Sequence, residues 1–263
     1  MEKYNKLWRM FYALAIIAIA VQQLICRDFR PVLVPTAFPA WLPGRLILTW
    51  IVSLAMIAAC IGIIFEIKSR EAALLLGALL LLFTLLLQVP YELNLYPANL
   101  GVWTDPLKEL TLSGGAFIVA GSLPYRRATP GFISFMEKLI PFGKYFMAIT
   151  MVAFGIDHFL YTDFVATLVP GWLPAHIFWT YFAGVALILS GLAIILNIKR
   201  RLAAALLGLM IFLWLLILHI PRAIADPYSG AGNEWTSVFE ALAFSGIAFI
   251  IAGKSSRAFS DNR

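Results

Sequence analysis

The chain has 263 residues, of which 62% are apolar and only 13% are charged, and its mean hydropathy is +0.88. Soluble domains usually carry about 25% charged residues, so this composition excludes an ordinary soluble protein. The formal net charge of +6 does not indicate nucleic-acid binding, because the basic residues flank long apolar runs instead of forming one cluster. We therefore expect an integral membrane protein that lies in the lipid bilayer and binds no nucleic acid.

Eight apolar runs are about as long as a membrane-spanning helix, which needs about 20 residues. They predict an all-α, polytopic membrane protein with eight transmembrane helices. In chain order the predicted spans are 7–26, 46–67, 72–91, 107–123, 145–161, 177–198, 202–220 and 235–253.

Basic residues predict the orientation of these spans. If the N-terminus is cytoplasmic, most of the 20 lysines and arginines fall on the cytoplasmic side, in the two terminal segments, the central linker and the turns at 68–70 and 199–201. Cytoplasmic loops of membrane proteins carry such an excess of Lys and Arg. We expect a multi-pass protein of the cell membrane with both termini in the cytoplasm.

The chain contains an internal repeat. A shift of 131 residues places 39–90 on 170–221 without a gap, and Trp-Leu-Pro occurs at the same point of both copies. Each copy holds four predicted spans, an even number, so both copies face the same way across the membrane. The expected architecture is two fused, parallel four-helix bundles. Their boundaries are 1–123 for the first unit, 124–144 for a basic cytoplasmic linker, 145–253 for the second unit and 254–263 for a cytoplasmic tail.

A segment rich in Pro and Trp joins the first helix of each copy to the second. Prolines such as Pro39 and Pro170 prevent a continuous helix there. Trp41 and Trp172 are typical of the aromatic belt at a membrane surface. The segment is either an interfacial turn or a lid over a pocket.

Ionisable residues near the outer ends of the spans in the second copy predict a functional site. Asp157 and His158 lie in the last turns of the fifth span. His219 ends the seventh span, and Glu240 lies in the eighth. A charge at the centre of a membrane helix costs about 3 kcal/mol or more, so these four are the candidate catalytic residues. The candidate ligand-binding residues at the same level are Arg222, His176, Trp172, Phe154, Phe244 and Ser237.

The first copy has weaker chemistry at the equivalent positions. A glutamine amide forms hydrogen bonds but does not exchange protons at neutral pH, as histidine does. We therefore expect the second copy to keep the ionisable chemistry, and the first to be either structural or a second, altered pocket. Gln22, Gln23 and Gln88 replace Asp157, His158 and His219, and Lys108 stands opposite Glu240.

Other interpretations of these residues remain open. One is an internal salt-bridge network that only joins helices, formed by Asp157, His158, Arg222 and Glu240. His176 alternatively lies at the membrane interface without a role.

Two further expectations concern residues outside the candidate site. Pro221 either frees a helix carbonyl for a polar group near His219 or simply ends its span. Glu92, Asp226 and Glu234 are expected to be solvated loop charges.

The sequence does not predict a metal site or a disulfide. Ligands drawn from His158, His219 and Glu240 would come from three different helices without the close spacing of a zinc motif. Cys26 and Cys60 are expected to lie too far apart to form a bond.

The pattern G-x-D-H-F, followed by V-P-G-W-L-P and a Gly-rich helix, resembles the DoxX-like family of small four-helix membrane proteins. One branch of that family is similar to the membrane subunit of a thiosulfate:quinone oxidoreductase. The resemblance implies a four-helix module, a quinone as the cofactor or ligand, and a soluble or membrane oxidoreductase as a partner. The first copy looks like a diverged version that lacks the histidine. The residues that carry the resemblance are Gly155, Asp157, His158, Phe159, 170–174 and 184–191.

These patterns predict a redox-associated membrane protein that binds a quinone-like or other small amphipathic ligand near the outer leaflet. In this hypothesis His158 and His219 bind the carbonyl oxygens of the ligand. Asp157 and Glu240 orient the histidines and relay protons, and Arg222 offsets the acidic charge. The ring of the ligand would be flanked by Trp172, Phe154 and Phe244.

Whether the protein is an enzyme stays open; if it is, we expect a quinone-linked oxidoreductase membrane subunit. The rival class is a non-enzymatic membrane scaffold, chaperone or carrier for partner proteins, since the chain lacks any cofactor motif. A transporter is a third class, but the inner half of the predicted spans lacks the polar residues of a continuous path.

Overall fold

A computed structural model describes residues 4–35, 43–125 and 131–253, and within these ranges the chain is helical without a β-strand. Trp41, Pro39 and the tail 254–263 lie outside the described residues. The α-helices are α1 (Asn5–Cys26), α2 (Arg45–Ile64), α3 (Ser69–Phe83), α4 (Val89–Leu95), α5 (Thr104–Ala120), α6 (Gly131–Glu137), α7 (Gly143–Leu160), α8 (Thr162–Leu168), α9 (His176–Ile195), α10 (Arg200–Trp214), α11 (Ile220–Ala225) and α12 (Asn233–Gly253).

Seven helical segments of the described chain are long and apolar enough to cross a membrane, which is compatible with a multi-pass membrane protein. Helix α5 corresponds to the fourth predicted span, but it has only 17 residues and is not among the seven. The seven segments are Asn5–Cys26, Arg45–Ile64, Ser69–Leu95, Gly131–Leu160, His176–Ile195, Arg200–Ala225 and Asn233–Gly253.

The two copies repeat in backbone conformation as well as in sequence. Gly44 precedes α2 with a φ of +80°, and Ala175, 131 residues later, precedes α9 with a φ of +60°. Lys68 and Lys199 both have a φ of +43° at the turns before α3 and α10. These residues hold the left-handed conformation that turns the chain sharply between two helices.

Each copy also contains a π-helical segment, Thr84–Gln88 in the first and Leu215–His219 in the second. A proline follows each segment by two residues, and proline cannot donate the backbone hydrogen bond of a regular helix. The wider π turn absorbs this defect, so the helix continues to Ala225. The expectation that Pro221 simply ends its span is therefore wrong.

The long helices pack in a closed ring. Most contacts in this ring lie within one copy, and two of them join the copies. In chain order, α1 packs on α2, α2 on α3 and α3 on α5, and the same pattern joins α7, α9, α10 and α12. Between the copies, α1 packs on α12 and α5 packs on α7, while α5 and α12 also contact each other. The first helix of each copy thus packs against the last helix of the other. The division at 124–144 into two separate units remains a prediction.

Helices α5 and α12 form the centre of the packed structure. Of the seven candidate spans α12 is the most buried, at 83% of its most apolar window. The two helices approach closely at Gly115, where an added Cβ would collide with Ile247 Cδ1 and lie 2.7 Å from Tyr12 Cε2. Because glycine leaves room for close contact, α1, α5 and α12 can meet at one point.

Candidate functional site

The candidate site is a cavity of about 310 Å³ enclosed by α7, α9, α10 with its π segment, and α12. One residue of α5, Lys108, also reaches it from the first copy. Val165, Leu168 and Val169, from α8 and the residue after it, line the cavity next to the α7–α9 connection. The short helix α8, which sequence analysis did not predict, therefore covers part of the cavity.

Most of the cavity wall is apolar or aromatic. Phe154 and Phe244, two of the predicted ligand-binding residues, lie on it. Trp179 and Trp214 lie on it as well, and their rings meet edge to face at 6.4 Å between centroids. Cavities of this kind, with few polar groups on an apolar wall, are typical of small-molecule sites.

Three of the four candidate catalytic residues share this cavity: His158, His219 and Glu240. The Nδ1 atom of His158 lies 2.7 Å from the carbonyl oxygen of Phe154. A carbonyl oxygen can only accept a hydrogen bond, so Nδ1 must carry the proton. In the neutral imidazole, Nε2 is then a hydrogen-bond acceptor, and no described residue supplies a partner for it.

His219 is the last residue of the π segment Leu215–His219. Its side chain lies on the cavity wall, and no residue in the described ranges forms a hydrogen bond with it. π-helical turns occur frequently at functional sites, because the extra residue changes the direction of the side chains that follow. The sequence signal for this turn is the proline two residues after His219, but proline by itself does not distinguish a π turn from a helix end.

Glu240 forms an ion pair across the boundary between the copies. Its Oε2 lies 3.2 Å from Nζ of Lys108, and the same Nζ lies 3.3 Å from Oδ1 of Asp105. The side chain of Glu240 is 6% exposed and that of Lys108 is 20% exposed. The positions 108 and 240 are equivalent in the repeat, so they meet where the last helices of the two copies pack together. The repeat makes these positions equivalent in sequence, but the contact between them was not predicted.

Two hydroxyl groups complete the polar part of the wall. Ser237, a predicted ligand-binding residue, donates its hydroxyl proton to the carbonyl of Asn233 over 3.3 Å. Thr180 donates in the same way to the carbonyl of His176 over 3.0 Å. Both hydroxyl oxygens keep lone pairs that can accept a hydrogen bond.

Arg222 is not part of the cavity wall. Its guanidinium instead binds Glu234 through two hydrogen bonds of 3.1 and 2.6 Å. No ion pair in the described chain joins Asp157, His158, Arg222 and Glu240, so the four-residue network is not formed. Glu234 was expected to be a solvated charge, and this expectation is wrong because Glu234 is the partner of Arg222.

Asp157 is buried, but it does not line the cavity. Thr150, Asp157 and Tyr161 recur at helical spacing on one face of α7. Thr150 on this face donates to the carbonyl of Leu107, which places the face against α5. Neither carboxylate oxygen of Asp157 has a hydrogen-bond partner among the residues that the structure describes.

The other two predicted ligand-binding residues lie away from the cavity. Trp172 is 69% exposed, in the segment that joins α8 to α9. His176 is the first residue of α9 and is not part of the cavity wall, although its backbone carbonyl accepts the hydrogen bond of Thr180.

Two of the equivalent polar residues in the first copy form hydrogen bonds within that copy. The amide of Gln23 donates to the hydroxyl of Ser53 over 3.1 Å, and its oxygen accepts from the backbone N–H of Arg30 over 3.3 Å. The amide of Gln88 donates to the carbonyl of Pro31 over 2.8 Å. Arg30 and Pro31 lie in the loop after α1, so this loop and α2 occupy the side chains that correspond to the histidines of the cavity.

The described residues hold no group of three or more His, Cys, Asp and Glu side chains that could bind a metal ion. Both cysteines are free: Cys26 is exposed, whereas Cys60 is buried in α2.

A family model described as a domain of unknown function, DUF8561, matches residues 147–241. The matched segment runs from α7 into α12 and contains every residue of the cavity wall except Lys108 and Phe244. No curated protein and no solved structure matches the chain.

Proposed function

We propose that the protein is an integral membrane protein that binds a small amphipathic ring molecule, of the quinone type, in the cavity of its second copy. The observation that carries this proposal is the cavity itself, where His158, His219 and Glu240 from three helices share an otherwise apolar wall. Small-molecule sites combine such a wall with a few polar groups that orient the ligand.

The dimensions and lining of the cavity favour a single substituted ring. A volume of about 310 Å³ lies at the small end of the usual range for ligand pockets. Phe154, Phe244, Trp179 and Trp214 offer aromatic surfaces against which a ring can stack. A longer apolar tail would have to extend out of the cavity.

Within the proposed site, Lys108 offsets the charge on Glu240. From the sequence, this role was expected of Arg222. The pair Lys108–Glu240 stays within hydrogen-bond distance and borders the cavity. In this proposal Lys108 holds the carboxylate in place, while the two histidines contact the ligand. Asp157 lies outside the cavity wall and does not contact the ligand in this proposal.

We further propose that α5 is an eighth span, with both termini in the cytoplasm of a cell-membrane protein. Twelve residues of α5 are buried, and its neighbours α3, α7 and α12 are all candidate spans. The basic turns at Lys68 and Lys199 precede α3 and α10, at the ends opposite to the π segments. This orientation places the cavity near the outer leaflet.

The resemblance of the second copy to DoxX-like proteins supports a redox setting, in which an oxidoreductase partner exchanges the quinone with the membrane pool. A scaffold or chaperone would not need the cavity residues. A direct measurement of whether the protein binds a small ring molecule therefore distinguishes the two functions.

The test compares histidines inside and outside the cavity. We expect the double variant His158→Ala, His219→Ala to bind a short-chain benzoquinone at least about tenfold more weakly than the wild type, because the hydrogen bond from an N–H of His219 and the contacts of both imidazole rings with the ligand are lost. Quenching of tryptophan fluorescence in detergent measures the affinity, since Trp179 and Trp214 border the cavity.

The matched control is His176→Ala, which removes the third histidine of the chain without touching the cavity wall. It should bind the benzoquinone as the wild type does. Equal affinity of the double variant and the wild type, with both proteins folded, would exclude the proposed site.

A further inference from the structure

Three polar residues of the cavity wall keep only hydrogen-bond acceptors for a ligand: His158, Ser237 and Thr180. The Nδ1–H of His158 is committed to the carbonyl of Phe154, which leaves Nε2 as a bare acceptor in the neutral ring. An apolar wall disfavours the charged imidazolium. Nε2 of His158 can therefore accept a hydrogen bond from a donor group on the ligand.

The two hydroxyl groups of the wall have the same polarity. Ser237 and Thr180 each donate their only hydroxyl proton to a helix carbonyl, those of Asn233 and His176. Only their oxygen lone pairs remain for a ligand. The carboxylate of Glu240 is likewise an acceptor.

The donors on the wall come from four side chains. Nζ of Lys108 has three protons, and two carboxylates, those of Glu240 and Asp105, lie within 3.3 Å of it. His219 can present either an N–H or a lone pair, depending on its tautomer, and Trp179 and Trp214 each carry an indole N–H. These donors can bind an oxygen of the ligand, but the acceptors of the wall still need a donor from it.

We infer that the cavity selects a ligand that carries a hydroxyl donor, namely a phenol or the reduced hydroquinone form of a quinone, over the corresponding carbonyl or ether compound. A quinone has only acceptor oxygens, so it can accept hydrogen bonds from the donors of the wall but leaves Nε2 of His158 and the two hydroxyl oxygens without a donor. A hydroxyl group donates to Nε2 of His158 or to Ser237 instead. This inference rests on the proposed function and specifies the form of the ligand.

The experiment uses matched probes that differ in one proton donor. 4-Butylphenol and 4-butylanisole have the same ring and tail, but only the phenol can donate a hydrogen bond. We expect the full-length protein in detergent to bind the phenol at least about fivefold more tightly, after correction for partition into empty micelles. A benzoquinone and its anaerobically reduced hydroquinone should differ in the same direction.

Three outcomes separate the inference from the function on which it rests. A preference for the phenol supports both. Equal binding of phenol and anisole overturns the inference but leaves a ring-binding cavity. Binding of neither probe, with the quinone and hydroquinone also unbound, overturns the proposed function.

The variant His158→Gln tests the residue responsible. An amide can turn its NH₂ group toward the ligand, so the preference for phenol over anisole, and for hydroquinone over quinone, should fall toward unity. Ser237→Ala removes a second acceptor, and it provides the same readout if His158→Gln does not fold. An unchanged preference in the folded variants would overturn the assignment of these acceptors.

Discussion

At the scale of single residues, the contact that most constrains the molecule is the ion pair between Lys108 and Glu240. Two charges that leave water lose hydration, and their attraction compensates only while both are present. Here the pair joins equivalent positions of the two copies, and Asp105 adds a second carboxylate to the same ammonium. Glu240 therefore depends on Lys108 more strongly than Lys108 depends on Glu240.

Replacing Lys108 should destabilise the protein more than replacing its partner. We expect Lys108→Met to lower the free energy of unfolding by roughly 3 kcal/mol, because it leaves the Glu240 carboxylate buried without a counter-charge. Glu240→Gln should cost less, since Lys108 keeps Asp105. Unfolding in mixed micelles measures both values.

The double variant Lys108→Met, Glu240→Gln completes the cycle and should recover most of the loss. The pair Arg222–Glu234 is a control, because its side chains are 36% and 21% exposed. Arg222→Met should change stability by at most about 1 kcal/mol. If the two losses simply add in the double variant, the residues are not coupled.

At the scale of helices, α7 and α9 depend on glycine for their close contact. A Cβ on Gly155 would lie 2.5 Å from Ile188 Cγ1 and 2.7 Å from the carbonyl oxygen of Gly184. A Cβ on Gly184 would in turn lie 2.9 Å from the Cβ of His158. The glycines therefore allow α7 and α9 to pack closely, and this close packing also sets the position of His158 on the cavity wall.

A single methyl group at this contact should separate the two helices. We expect Gly155→Ala to lower the free energy of unfolding by about 1–3 kcal/mol, since a backbone carbonyl of α9 has to move. Gly171→Ala is the matched control, because an added Cβ there meets no atom within 4 Å. A Gly155→Ala protein as stable as the Gly171→Ala protein would contradict the described helix contact.

At the scale of the whole molecule, the two copies are interlocked instead of standing side by side. The contacts of α1 with α12 and of α5 with α7 and α12 cross the boundary of the repeat. Buried hydrogen bonds cross it too, since Arg30 donates to Thr236 over 3.2 Å and to the carbonyl of Ala231 over 2.9 Å. Separating the copies would expose α5 and α12, the helices at the centre.

The two halves of the chain should therefore be stable only together. We expect residues 1–125 and 131–263, expressed as separate chains in one cell, to purify as a complex through a tag on one of them. Either half expressed alone should aggregate or be degraded, because its central helix, α5 or α12, loses the helices of the other half that bury it.

The variant Gly246→Leu should prevent this association. A Cβ at Gly246 would lie 2.8 Å from the carbonyl oxygen of Trp8, at the contact between α1 and α12. Gly171→Leu, in open space, should leave the association intact. A second half that purifies alone, folded and able to bind the ring probes, would disprove the dependence.

The positions of the long helices could be predicted because apolar runs and charged turns are local signals. The predicted span 177–198 begins one residue after α9 does, and 235–253 ends with α12. The backbone repeat likewise follows from the sequence repeat. The π segments could not be predicted, since Pro90 and Pro221 indicate only that a regular helix is interrupted.

The composition of the site was only partly predictable, because it depends on contacts distant in sequence. Depth along the helices placed His158, His219 and Glu240 at one level. Which residues face the cavity depends also on the side of the helix that carries them. For Asp157 and Arg222, a polar side chain alone did not indicate that this side faces away from the cavity. Lys108 belongs to the other copy, so its arrival depends on how the copies interlock.

The central place of α5 has a consequence for how the protein is made. This helix is short and carries Asp105, Lys108 and Glu109 within its first two turns, so it enters hydrocarbon poorly without neighbours. Two of those neighbours, α7 and α12, leave the ribosome after it, and α12 comes last. We expect α5 to stay beside the insertion machinery during translation until the final helix arrives, so that integration into the bilayer is completed only when the whole chain has been synthesised.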